Sequence, residues 1–202
     1  MKSFVLSLAL LCFWRLQEGV NGYGPVCSCP PRHPQQQFCR SDVVLRAKVV
    51  GVTFGRAVKY GIHQTRVFKG PKRIFDVIHT PPKFSACGAH LKVGVEYLFM
   101  AKLRRDGSLR INFCHYFQPW RTLSPIQRRL LNHYPKGCGC KIRLCKYFPC
   151  IPKRHDVCLW SDKLKWGPHQ PNQAQNFACV KRRRTGDCFW KKPQVRPGRH
   201  PS

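Results

Sequence analysis

Cys27, Ser28 and Cys29 stand directly after a hydrophobic leader, so a chain cut before Cys27 begins with a cysteine that carries a free α-amine. The amine nitrogen and carbonyl oxygen of one residue can close a five-membered chelate on a metal ion. The amine must be neutral to donate its lone pair. A free α-amino group has a pKa of about 7.7–8.0, so the chelate is expected to weaken in acid. The chain has no matching centre of its own. Its histidines, among them His33, His63, His79 and His90, form no H-E-x-x-H signature. They are expected to serve at the surface or in packing, and the metal is expected to belong to another protein.

Enzymatic chemistry is hard to assemble from the remaining residues. Past residue 26 the chain holds a single glutamate, Glu96, and scattered aspartates, with no G-x-S-x-G elbow. A catalytic role is therefore not expected, nor a cofactor of the chain's own.

Residues 1–26 open on Lys2, run apolar from Phe4 to Trp14 and turn polar through Arg15, Gln17 and Glu18. That order is a secretory signal, and the apolar run falls short of the roughly 20 residues a helical span needs. The protein is expected in the extracellular space and matrix. Loss of the leader removes Cys12 and leaves twelve of the thirteen cysteines. An even count in an oxidising compartment implies six disulfides, although twelve cysteines allow on the order of ten thousand pairings. Spacing alone leaves the connectivity open.

Cysteine density also divides the chain. Only Cys87 and Cys114 fall between Cys39 and Cys138, whereas Cys138, Cys140, Cys145, Cys150, Cys158, Cys179 and Cys188 crowd the C-terminal part. This pattern predicts a cored domain over 27–138, a small stapled subdomain over 139–190, and a basic, disordered tail over 191–202. In the first, Val43, Leu45, Ala47 and Val49 alternate with Val44, Arg46, Lys48 and Val50, the period of a strand. Further strands are expected at 60–68, 74–80, 95–103 and 109–113, with Asp106-Gly107 as a hairpin turn. Ser124, Pro125 and Gln127 form a helix start, and Pro135 a stop. Five strands with flanking helices suggest a Greek-key barrel of the OB type. In the second part apolar runs are short and broken by prolines, so bridges are expected to stabilise it more than a core does. A zinc knuckle at Cys138, Cys140, Cys145 and Cys150 is the weaker alternative to bridges in an exported chain.

The net charge of the whole chain is +29, and losing Lys2, Arg15 and Glu18 lowers it by one. Lys181, Arg182, Arg183 and Arg184, with Lys191 and Lys192 further on, concentrate that charge near the C-terminus. A polyanion site is expected there, and outside the cell its partner would be a sulfated glycosaminoglycan and not nucleic acid.

Cys27-Ser28-Cys29-Pro30-Pro31-Arg32-His33-Pro34-Gln35, Phe38-Cys39 and Val44-Leu45-Arg46-Ala47-Lys48 together resemble the start of the tissue inhibitors of metalloproteinases. Phe68-Lys69-Gly70, Cys87-Gly88, Gln127-Arg128-Arg129, 137–142 and Cys158-Leu159-Trp160-Ser161-Asp162 extend the resemblance along the whole exported chain. It implies a netrin-like OB barrel with a three-loop C-terminal subdomain. It also implies the pairs Cys27–Cys87, Cys29–Cys114, Cys39–Cys138, Cys140–Cys188, Cys145–Cys150 and Cys158–Cys179. The implied activity is inhibition of matrix metalloproteinases, and of disintegrin-metalloproteinases as a further target class. Cys27 would hold the protease zinc through its main chain and Ser28 would enter the adjacent pocket. Cys29, Pro30 and Pro31 would run along the cleft, while Ser85, Ala86, Cys87 and Gly88 would form a second contact segment.

Three features depart from the family pattern. Val26 is a poor residue to precede a signal cut, and cutting after Gly22 or Gly24 would leave an extension that acylates the Cys27 nitrogen. An amide is a poor zinc ligand, so the alternative function is a non-inhibitory matrix-binding or receptor-binding module. The tail is basic where some relatives carry acidic ones, and 53–59 is too short for a long protease-contacting hairpin.

Overall fold

The computed structural model describes residues 27–82, 85–164 and 172–194. The leader and residues 195–202 of the tail lie outside the described residues. Among the described residues there are ten strands and three α-helices, and the first six strands make one sheet.

β1 (Val43–Thr53) pairs antiparallel with β2 (Val58–Lys69) along its whole length, and through Val43–Lys48 with β4 (Glu96–Leu103) on its other edge. Three register irregularities bend β1 between those partners, which is how a twisted strand serves both sides of a closed sheet. β3 (Val77–Thr80) joins β2 antiparallel and β5 (Leu109–Arg110) parallel, and β5 returns to β4. The barrel of five strands is thereby closed, as an OB fold requires. β6 (Phe117–Pro119) adds a short outer pairing to β4.

Two strands are shorter than their apolar runs. The third begins at Val77, not residue 74, because Ile74 is 84% exposed and only Phe75 turns inward, where its N–H reaches the Gln64 side chain. The fifth stops at Arg110, not residue 113. There the Asn112 carboxamide accepts from the Cys114 N–H at 3.1 Å and turns the chain away from the sheet. The Asp106-Gly107 turn stands where expected, with Gly107 at φ 82, a conformation that favours glycine.

Inside the barrel, Val43, Leu45, Ala47, Val49, Ile78, Phe99, Leu109 and Ile111 are fully buried. A second apolar cluster lies outside it. Val44, Leu98 and Met100 point from the opposite faces of β1 and β4 toward α1 (Pro34–Arg40), α2 (Pro125–His133) and β9 (Ala178–Lys181). Ser124 caps α2 reciprocally with Gln127, and Leu130, Leu131 and Tyr134 line its buried side. Pro135 does not end the helix abruptly; the chain tightens through a 3-10 turn at Tyr134–Gly137.

The C-terminal half holds two small sheets. β7 (Lys141–Leu144) runs parallel to β8 (Val157–Trp160), and β9 antiparallel to β10 (Cys188–Lys191), with α3 (Gln173–Asn176) before β9. Ile142, Cys158, Trp160 and Cys179 form its own cluster. The described residues continue past 190. Lys191 closes β10, Pro193 is buried, and the Gln194 carbonyl accepts from Arg129 at 2.6 Å.

Gln35 fastens the two halves. Its carboxamide donates to the Cys179 carbonyl at 2.6 Å and accepts from the Cys179 N–H at 2.8 Å, both buried. β9 thus comes close to the turn before Cys138, and a Cβ at Gly137 would overlap the Cys179 carbonyl oxygen. Only glycine fits there.

Candidate functional site

Two bridges fasten the extended segment 27–33 to the barrel. Cys27 is joined to Cys87 and Cys29 to Cys114, with Cα separations of 5.2 and 5.3 Å. The Ser28 carbonyl oxygen lies 3.8 Å from Cys114 Sγ. Between and after the cysteines, Ser28, Pro30 and Pro31 are exposed. Both prolines hold φ near −65°, so little freedom is left for a partner to remove on docking.

The second segment is shaped by local hydrogen bonds. The Ser85 hydroxyl accepts from the Cys87 N–H at 3.2 Å and the Ser85 carbonyl from the Gly88 N–H at 3.1 Å. Ser85 is thereby a turn former, while Ala86 is the exposed residue of the group. Gly88 is buried, with carbonyl oxygens of Pro81, Pro82 and Ser85 at 3.2–3.4 Å from where a Cβ would stand. Sequence reasoning did not single out Phe113 as a site residue. It is 57% exposed, and its N–H donates to the Cys87 carbonyl at 2.9 Å, which adds an apolar side chain beside this edge.

The remaining bridges are Cys39–Cys138, Cys140–Cys188, Cys145–Cys150 and Cys158–Cys179. All six are the pairs that the family resemblance implies. Cys140, Cys179 and Cys188 bring their sulfurs within 4.8 Å of one another, a spacing that could hold a metal. Each of those sulfurs is oxidised, so no thiolate is available to bind one.

His33 is buried against Trp160, Trp190 and Tyr134, with ring centroids 5.5, 5.1 and 6.5 Å away. It caps α1: its Nδ1 accepts from the Gln35 N–H at 3.2 Å, while its own N–H donates to Gln36 at 2.9 Å. Burial pushes its pKa down to about 4, partly offset by the Gln173 backbone and the Asp162 carboxylate. This is a structural histidine. The helix it starts was missed in the sequence, although Pro34 at the first helical position and Gln36 two residues on were legible signals.

The basic run forms a hairpin. Lys181 pairs with Cys188, and the Arg182 N–H donates to the Asp187 carbonyl at 2.8 Å, so 182–187 make a tight loop. Lys181, Arg182, Arg183, Arg184 and Lys191 line one open cleft of about 570 Å³, to which the fold adds His133 and Lys136. The Arg182 guanidinium stacks on Phe189 at 4.6 Å. Burial lowers the His133 pKa, and the neighbouring Lys136 and Lys191 lower it further. Lys192 is exposed but does not line the cleft.

A sequence model of the family described as tissue inhibitor of metalloproteinase matches residues 25–190. This chain belongs to that family. Metalloproteinase inhibitor 2 of Homo sapiens is 41% identical over 203 residues, covering 94% of this chain and 90% of its own. The protein of the same name from Cavia porcellus is 40% identical with the same coverage. That from Cricetulus longicaudatus is 42% identical over 178 residues, covering 81% of this chain and 90% of its own. Tissue inhibitors of metalloproteinases are secreted proteins that inhibit zinc proteases and are not enzymes. Among the described residues no helix is long and apolar enough to cross a membrane.

Proposed function

We propose that this inhibitor acts by presenting Cys27 as a bidentate main-chain ligand to the catalytic zinc of a matrix metalloproteinase or disintegrin-metalloproteinase. The observation that carries this reading is the state of Cys27: its sulfur is consumed by Cys87, so only its amine and carbonyl remain to donate. The amine and carbonyl would displace the zinc-bound water, and Ser28 would enter the pocket beyond it. Pro30 and Pro31 would lie along the substrate cleft, with Ala86 and its neighbours against a second wall. A small Ser28 side chain leaves much of that pocket empty, which favours breadth over selectivity.

The decisive comparison is between the chain beginning at Cys27 and the same chain with one alanine ahead of it. Acylation removes the nitrogen donor, and inhibition should fall at least about a hundredfold, near 2.7 kcal/mol of binding. Equal inhibition by both forms would end the chelation reading. Mass spectrometry of the exported protein reports which form is natural.

The basic cleft supports retention on sulfated glycosaminoglycans, a polyanion class available outside the cell. Lys181, Arg182, Arg183, Arg184, Lys191 and Lys192 would supply the charge. Heparin affinity should fall steeply with salt, by analogy with counterion release from nucleic acids. Elution by physiological salt would remove the matrix role.

A further inference from the structure

The loop closed by Cys145 and Cys150 carries an apolar tip that neither the zinc-binding edge nor the basic cleft uses. Tyr147 is 77% exposed, Phe148 59% and Ile151 66%, three large apolar side chains within five residues. Water-exposed apolar clusters of this kind mark interaction sites. The five-residue separation of the bridged cysteines makes the loop short, and Arg143 on β7 donates to the Ile151 carbonyl at 2.6 Å, so the tip is braced from below.

The charge around it is predominantly positive. From 141 to 156 five cations, Lys141, Arg143, Lys146, Lys153 and Arg154, face a single carboxylate, Asp156. Asp156 is already engaged by Arg154 at 2.9 Å and Lys141 at 3.8 Å. Lys146 and Lys153 make no ion pair among the described residues.

We infer that this loop is a membrane-surface anchor, with Tyr147, Phe148 and Ile151 entering the headgroup region of an anionic phospholipid bilayer while Lys146 and Lys153 meet the lipid charge. The pairing of an apolar tip with a cationic collar is what that interface selects: aromatic rings settle at headgroup depth and lysines bind the anionic surface. A sulfated polysaccharide would satisfy the lysines but offers nothing to three apolar side chains.

The test is cosedimentation of the full exported chain with vesicles of phosphatidylcholine alone and with about one third phosphatidylserine, at physiological salt. Binding to the anionic vesicles should exceed binding to neutral ones at least about tenfold, the gain expected from two lysines at the surface. Joint Tyr147→Ser, Phe148→Ser and Ile151→Ser substitution should lower anionic-vesicle binding at least about fivefold. Elution of that variant from heparin should not change. That unchanged elution, together with unchanged resistance of the C-terminal half to proteolysis, reports that the fold around the loop is intact. A Phe148→Trp variant should be quenched by brominated acyl chains more than the unsubstituted chain is. The inference is overturned if anionic vesicles bind no better than neutral ones. It is equally overturned if the triple variant binds as tightly as the unsubstituted chain, since adsorption would then be charge alone from elsewhere on the surface. Absence of extra quenching at position 148 would also exclude insertion.

Discussion

The barrel encloses most of its apolar side chains, whereas the C-terminal half divides its own between a small private cluster and a wall shared with its neighbour. Val43, Leu45, Ile78, Phe99 and Leu109 meet one another inside a closed sheet. In the C-terminal half the private cluster is Ile142, Trp160 and two bridged cysteines, while Ala178 and Val180 of β9 are lodged against Leu98, Met100 and Leu130 of the barrel side. The barrel therefore has a core that a closed sheet can stabilise alone, and the second half has disulfides plus a borrowed wall. Such an arrangement keeps the bridged Cys27–Cys29 edge on the self-sufficient half. The basic cleft and the apolar loop sit on the dependent one.

That contrast can be broken most severely at Gly137. Gly137→Ala places a methyl group on the Cys179 carbonyl, and the neighbour is backbone that cannot swing aside. We expect a loss of about 4 kcal/mol or more, in the range of severe overpacking. The loss should appear as exposure of the C-terminal half to proteolysis, with zinc-protease inhibition by the barrel retained. Equal damage to both halves would show that the barrel also leans on its neighbour.

Acid should act on the same junction at a lower pH than it acts on inhibition. Neutral His33 is the folded form down to about pH 4, while the unfolded chain takes up its proton near 6.5. Between those values the unfolded state binds more protons, so stability is complete above about pH 6.5 and is lost as pH falls toward 4. The full effect is about 3 kcal/mol. Protonation at Nδ1 would also remove the cap on α1. Denaturant midpoints measured from pH 7 to 4 should fall in this window, and His33→Gln should flatten the dependence. Under the proposed chelation, inhibition should already decline below about 7.7–8.0, the ordinary pKa of a free α-amine. Coincident pH profiles would mean that one event governs both.

The smallest effect sharpens the role of the shared wall. Ser124→Ala removes the cap of α2 and should cost about 1 kcal/mol, read as a lower denaturant midpoint with an unchanged slope. A changed slope would indicate that the two halves no longer unfold together.

Much of the barrel was legible because one face of its strands is apolar and lines the barrel interior. The alternation from Val43 to Val49, the turn at Asp106-Gly107 and the Ser124-to-Gln127 box each rest on neighbours a few residues apart, where local sterics decide. The ends of the third and fifth strands were not legible. Ile74 and Phe113 are apolar but exposed, so hydrophobicity overstated both strands. α1 was missed because its cap is a histidine, a residue type seldom used there. His133 and Lys136 joined the basic cleft only because α2 and its 3-10 turn fold against the β9–β10 hairpin, some 45 residues away in sequence.

By itself the sequence determined the leader-like N-terminus, the even set of twelve cysteines, the period of the strands and the excess of positive charge, all of them properties of composition or of near neighbours. Family resemblance added the pairing that spacing left open. Only the tertiary structure decided that β9 passes close enough to Gly137 to forbid a side chain, and that Gln35 reaches across to Cys179. It also decided that Tyr147, Phe148 and Ile151 remain in water. The reason is physical: burial and close approach depend on which distant segments the fold brings together, and no local pattern carries that information.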